Sequence, residues 1–153
     1  MTLFKVLLFV HVLAAAAWVG GGLFAFLLGW RLRRANDPVR MASLAREFSE
    51  FGGTYFAPVA VGTILAGVWL VIEGDLGFDH FWILSAFAVW IYSLISNVTW
   101  LARLTDRIGA LATEKGPAAP EVREASGQLF RWQALELALL VFVVFAMTYK
   151  PFF

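Results

Sequence analysis

LFKVLLFVHVLAAAAWVGGGLFAFLLGW, residues 3–30, is an apolar run interrupted only by Lys5 and His11, and it ends on Arg31, Arg33 and Arg34. A membrane-spanning helix needs about 20 mainly apolar residues, so the run is long enough to cross a bilayer. It is too long for a secretory leader, and its positive charge follows the apolar stretch. That order marks an anchor whose N-terminus lies outside.

Three further stretches have the same character: about 55–72, 81–101 and 132–149. Backbone groups in lipid must bond within their own segment, so each is read as a helix. The expected fold is therefore all-α, an integral membrane four-helix bundle forming one transmembrane domain over residues 1–153. Composition agrees. Hydrophobic residues make up 61% of the 153 and mean hydropathy is +0.76, well above the apolar share of a soluble domain.

The basic residues set the orientation. Arg31, Arg33, Arg34, Arg40 and Arg46 follow the first span, and Arg103, Arg107, Lys115, Arg123 and Arg131 follow the third. Lys5 and Lys150 are the other two of the twelve. The positive-inside rule makes the rich side cytoplasmic, in a bacterial inner membrane, with both termini on the outer side. A net charge of +1 gives no reason to expect a nucleic-acid partner; the expected surroundings are the lipid bilayer and a homo-oligomer or larger membrane complex.

The two basic connections carry helix signals. Asp37-Pro38 reads as an N-cap followed by Pro at the first position. Met41, Leu44 and Phe48 recur at helical spacing among charged residues, which predicts an amphipathic cytoplasmic helix leading into span two, with a hinge at Gly52-Gly53. Gly116 to Pro120 reads as a turn, followed by a helix from Glu121 to Leu129, so spans two and four are expected to extend beyond the membrane. Pro58 is expected to kink span two, Gly62 and Ala66 to pack closely, and Trp18, Trp69, Trp82 and Trp132 to act partly as interface anchors.

With no cysteine, disulfides, thiolate metal sites and Cys nucleophiles are excluded. His11 and His80 are the two histidines. His11 lies roughly 9 Å into the membrane if Lys5 marks the surface. It shares a face with Trp18, beside Ala14, Ala15, Gly22, Ala25 and Gly29, where a helix or a flat ligand can approach. It reads either as a neutral imidazole bonded to a Ser, Thr or carbonyl across the interface, as a haem or metal ligand, or as a proton relay. Its ring is expected between spans near Met147, and a His–Met pair suits haem or Cu(I).

A polar layer is expected near the inner face. Gln133 and Glu136 lie on one stripe of span four, and Trp90, Ser93, Asn97 and Trp100 on one stripe of span three. Glu136 should point inward to Asn97, Gln133 or Tyr55, either as a hydrogen-bond knot or as a relay or substrate contact. In the outer loop, Glu73, Asp75, Asp79 and His80 form a weak candidate for a divalent cation. Gly74 and Gly77 signal turns there, and Asp79 a cap for span three.

The segment His11 to Gly22, a His, six residues and then Trp-Val-Gly-Gly, resembles the first span of bacterial proteins of the copper-resistance protein D type and of their small uncharacterised four-span relatives. The bacterial haem-dependent protoporphyrinogen oxidase begins similarly. The likeness to the small relatives extends over the whole chain in length and span layout. The resemblance implies that His11 matches the family histidine, an axial haem b ligand in the oxidase and a copper contact in the copper group, with Trp18 beside the cofactor. Three functions are in view: a non-enzymatic bundle, alone or within a larger assembly, a haem- or copper-binding protein with its site at His11, or a small transporter or proton path through Glu136.

Reporter fusions near Asn36 and near Gly116 are expected to read cytoplasmic. A periplasmic signal at either position contradicts the orientation.

Overall fold

A computed structural model of the chain describes residues 3–35 and 37–150, with the backbone alone at positions 38, 45, 46 and 49. Met1, Asn36 and the side chain of Arg46 lie outside the described residues. Six α-helices follow in order: α1 (Leu3–Arg34), α2 (Pro38–Phe51), α3 (Ala57–Glu73), α4 (Phe81–Ser96), α5 (Ala102–Lys115) and α6 (Pro120–Tyr149). No strand occurs among the described residues. A π-helical turn, Gly52–Phe56, joins α2 to α3, and a second, Asn97–Leu101, joins α4 to α5.

Among the described residues, four helices are long and apolar enough to cross a membrane: Leu3–Arg34, Gly52–Glu73, Phe81–Lys115 and Pro120–Tyr149. The first, third and fourth have 32, 35 and 30 residues, so each is about 45–50 Å long, against a hydrocarbon core of about 30 Å. The excess lies at the Arg-rich end. There α2, α5 and the start of α6 form a further layer around buried Leu101, Ile108, Val122, Ala125 and Leu129. Elsewhere the outward faces are apolar: Phe9, Phe24, Leu65, Ile72 and Val98 are 62–70% exposed. Such surfaces suit lipid.

Local signals explain the helix ends. The Asp37 side chain accepts from the Arg40 amide at 3.0 Å, capping α2, as its pairing with Pro38 suggests. Arg31, Arg33 and Arg34 close α1 where the helix dipole is negative. Gly116, at φ 87°, reverses the chain after α5 in a conformation that L side chains rarely adopt.

The sequence reading placed a hinge at Gly52-Gly53, and here the structure differs. The helix continues through both glycines, and Gly52 has ordinary helical angles. The irregularity is instead a widened turn, whose last bond runs from the Ala57 amide to the Gly52 carbonyl. Pro58 explains it. It has no N–H, and its ring would crowd the carbonyl four residues back; slipping one residue of register relieves both. Span three also extends further than expected, because α5 continues it to Lys115. Asp79 does not cap α4. His80 holds that position without a side-chain cap bond, and its ring stacks on Trp82 at 6.1 Å.

Packing begins with α1 against α3 and the π turn that precedes it, an antiparallel pair of spans in which each offers a glycine to a ring of the other. A Cβ at Gly21 would lie 3.0 Å from Tyr55 Cε1, and one at Gly67 would lie 3.0 Å from His11 Cε1. The Tyr55 hydroxyl donates to the Ala17 carbonyl at 3.0 Å, and His11 Nδ1 bonds the Thr63 carbonyl at 2.9 Å. On its other side α1 takes α6: Phe130 lies 3.8 Å from the Cβ position of Gly29 and Leu137 lies 3.9 Å from that of Gly22. Phe130 also stacks on Phe26 at 4.7 Å. Helix α6 then packs on α4, while α3 and α4 barely meet.

Two expectations are corrected by this packing. Gly62 has nothing within 4 Å of its Cβ position, and the close contact is at Gly67. Trp18 and Trp82 are buried inside the bundle rather than anchored at a surface, because Trp18 packs with Val89 and Leu140 and Trp82 with Val71, Ile83 and Ala146.

Gly67→Leu is expected to destabilise the protein by about 1–3 kcal/mol, since the side chain must displace the His11 ring. Gly62→Ala is expected to be neutral or slightly stabilising. Unfolding in mixed micelles followed by circular dichroism compares the two.

Candidate functional site

The neighbour order α3–α1–α6–α4 leaves the bundle open between its second and third spans. A cavity of about 430 Å³ fills that opening. Its walls are largely apolar: Trp18, Phe56, Ala60, Trp90, Phe130, Leu137 and Leu140 contribute, with Gly22, Ala25 and Gly29 of α1 behind them. Six polar side chains also line it: Ser93, Asn97, Thr105, Ser126, Gln133 and Glu136.

Ser93, Asn97, Gln133 and Glu136 come from two helices and are held by their own backbone. The Ser93 carbonyl accepts from Ser96 Oγ at 3.0 Å and from Asn97 Nδ2 at 2.8 Å. Thr99 Oγ1 donates to the Ile95 carbonyl at 2.6 Å. Side-chain donors thus compete with amides for the carbonyls of this stretch, and the ladder shifts to the π form, the Ala102 amide reaching the Asn97 carbonyl. Both π turns border the cavity, through Gly52, Gly53 and Phe56 on one side and Asn97, Val98 and Leu101 on the other.

Asn97 Nδ2 donates across the helix interface to Glu136 Oε1 at 2.8 Å. Gln133 sits one turn before Glu136, half-buried on the same wall. The Ser93 hydroxyl lies beside the carboxyl of Glu136, yet its oxygen, buried with the residue only 1% exposed, has no well-aligned hydrogen-bond partner. Two ion pairs occur among the described residues, Arg40–Asp37 and Lys115–Glu121, and Glu136 belongs to neither. The nearer basic residues are otherwise engaged: Arg33 lies over the Phe130 ring at 5.0 Å, and Arg131 Nε donates to the Gly127 carbonyl at 3.4 Å.

Other residues singled out in the sequence fall elsewhere. Tyr55 gives its hydroxyl to Ala17 and not to Glu136. His11 turns to span two rather than towards Met147. Its bond to the Thr63 carbonyl and its contact with Gly67 hold it there, because a carbonyl can only accept and the glycine leaves room for the ring. Met147 packs with Val71, Trp82, Ile83 and Ala146, at the level of Val71, one turn beyond Gly67. The cavity does not reach His11, but Trp18 lines it. In the loop after α3, Asp79 Oδ1 lies 2.7 Å from the Cβ position of Gly77. Among the described residues, no three His, Cys, Asp or Glu side chains converge on one point.

The sequence reading lacked three features of the site. The π turns have no periodicity signal, although Pro58 is the clue to one. Trp90 Nε1 donates to the Ala60 carbonyl at 3.1 Å, tying span three to span two above the cavity. Ser93 stood on the right stripe, but its unmet hydroxyl depends on where its neighbours' donors go.

Removing the amide by Asn97→Leu is expected to cost about 1 kcal/mol, the usual worth of a hydrogen bond between membrane helices. Glu136→Gln, which keeps an acceptor for Asn97, is expected to cost less. A double-mutant cycle with Asn97→Ala and Glu136→Ala, read by unfolding in mixed micelles, measures the coupling.

No curated protein and no solved structure matches this chain. A family model matches residues 5–151, nearly the whole length. The chain belongs to the family described as predicted integral membrane protein (DUF2269).

Proposed function

We propose that this protein is a non-enzymatic inner-membrane protein that binds a membrane-dissolved small molecule in the cavity beside Glu136. One observation carries the reading: a largely apolar cavity of about 430 Å³ holds Ser93, Asn97, Gln133 and Glu136 on its α4–α6 wall, with Thr105 and Ser126 towards the Arg-rich layer. That is the size and make-up of ligand pockets, an apolar lining with a few convergent polar groups. The Ser93 hydroxyl beside the Glu136 carboxyl adds a further polar group to this wall. With the Arg-rich side cytoplasmic and both termini outside, the site lies in the inner half of the bilayer.

N-Phenyl-1-naphthylamine, a neutral apolar fluorophore with one N–H donor, is a suitable probe. Saturable fluorescence gain above empty micelles is expected for the purified protein. Gly53→Phe, at a cavity-lining glycine with nothing within 4 Å of its Cβ position, is expected to abolish the saturable part. No saturable signal from the wild type contradicts the reading.

The second reading is a haem or copper at His11, and one observation favours it. The bond from Nδ1 to the Thr63 carbonyl leaves the lone pair of a neutral ring on Nε2, the tautomer of many ligating histidines. The rest of the surroundings do not fit the group: the ring is pressed on Gly67 and Met147 is packed in another cluster. Absorption spectra of the purified protein, oxidised and reduced, are the check. A Soret band or bound copper that disappears in His11→Ala establishes the cofactor; loss of helix packing alone assigns His11 to structure.

A further inference from the structure

We infer that the ligand of this cavity is a lipophilic organic cation, reached sideways from lipid between the second and third spans. This rests on the cavity being a binding site, and it names the ligand's chemistry and its route.

The route follows from where the bundle is closed. Above the cavity, Trp90 bonds Ala60 across the gap at 3.1 Å, and Val71 meets Trp82 and Ile83 beyond it. Below it, α2 packs against α5. Behind it stand α1 and α6. The remaining side is the seam between α3 and α4, whose rim residues Val61, Leu94 and Val98 line the cavity and are exposed, Val98 by 70%. Apolar rims of this kind admit molecules already dissolved in the bilayer and give hydrated solutes no path.

The charge follows from Glu136. Its carboxyl receives one amide donor, from Asn97, and it is in neither ion pair of the described residues. A carboxylate away from water needs a cation or must stay neutral. Among the described residues no basic side chain lines the cavity, so the place beside the carboxyl is open to a cation that the ligand brings. An anion would meet the carboxyl without a compensating charge. The aromatic lining is compatible with this, because Trp18, Trp90 and Phe56 line the cavity and the face of an indole is the ring surface that attracts a desolvated cation most.

Tetraphenylphosphonium and tetraphenylborate have the same shape and apolarity and opposite charge, so together they isolate the charge requirement. Equilibrium dialysis against the purified protein in maltoside detergent, corrected for empty micelles, is expected to give saturable binding of tetraphenylphosphonium. Tetraphenylborate is expected to bind at least tenfold more weakly. Glu136→Gln is expected to weaken the phosphonium at least tenfold, while Glu50→Gln, on the Arg-rich surface layer, leaves it as in the wild type. Equal binding of the two ions, or no effect of Glu136→Gln, overturns the inference. Retained N-phenyl-1-naphthylamine binding in that case keeps the cavity reading; its absence removes both. The chain has no cysteine, so the double variant Val61→Cys with Val98→Cys can be bridged by a bis-maleimide in an otherwise silent background. Bridging is expected to slow phosphonium uptake at least tenfold relative to the same protein unbridged; an unchanged rate overturns the lateral route.

Discussion

The reciprocal seating of rings on glycines between α1 and α3 is the contact on which the rest of the bundle depends. In lipid, burying an apolar side chain against another gains little, because the surrounding tails are equally apolar. What joins helices is close approach and hydrogen bonding. Here Gly21 admits Tyr55 and Phe56, Gly67 admits His11, and two side chains reach backbone carbonyls of the opposite helix, one in each direction. Every one of these contacts is satisfied by a single antiparallel register, so the first two spans are fixed to each other along their length.

That fixed pair decides where the bundle is loose. With one face of α1 committed to α3 and its Gly22–Ala25–Gly29 face committed to α6, span three packs mainly on α6 within the bundle, with Trp18 of α1 reaching Val89. Among the described residues spans two and three then touch little, at Val71 against Trp82 and Ile83 and at the Trp90–Ala60 bond. The cavity is the gap this geometry leaves, and the two π turns lie on its two walls. Each has its own local cause, Pro58 in one and crowded hydroxyl and amide donors in the other. Asn97, which bonds Glu136, opens the second of them.

How much of this could be read beforehand depends on the range of the interaction. The four spans, the amphipathic α2 and its Asp37 cap are set by composition and local spacing, and each stands in the sequence. The meeting of Asn97 with Glu136 follows from depth and stripe, two quantities that a helical period supplies. Gly67 could not be chosen over Gly62 in this way, since both fall in the same apolar run and only the partner helix distinguishes them. His11 faces span two because Thr63 offers a carbonyl beside a glycine, a pairing 52 residues apart. The continuation of span three into α5 was obscured by charge: Arg103, Asp106 and Arg107 end the apolar run but not the helix.

The glycines divide into two kinds. At Gly21 and Gly67 a Cβ would strike a ring at 3.0 Å, so packing requires their absence of side chain. At Gly52 and Gly53 nothing lies within 4 Å of the Cβ position, and both border the cavity together with Ala57, Ala60 and Ala102. Steric need does not account for small residues there. A bundle under pressure for stability alone gains by filling such space, since each cavity forgoes dispersion contacts along its lining. Larger side chains at these positions would close the gap and leave the Glu136 carboxyl sealed beneath them. A molecule that occupies the space restores the lost contacts and stabilises the folded state in proportion to its affinity and concentration. The small residues and the polar group they leave accessible are therefore accounted for together by an occupant, and neither is accounted for by packing.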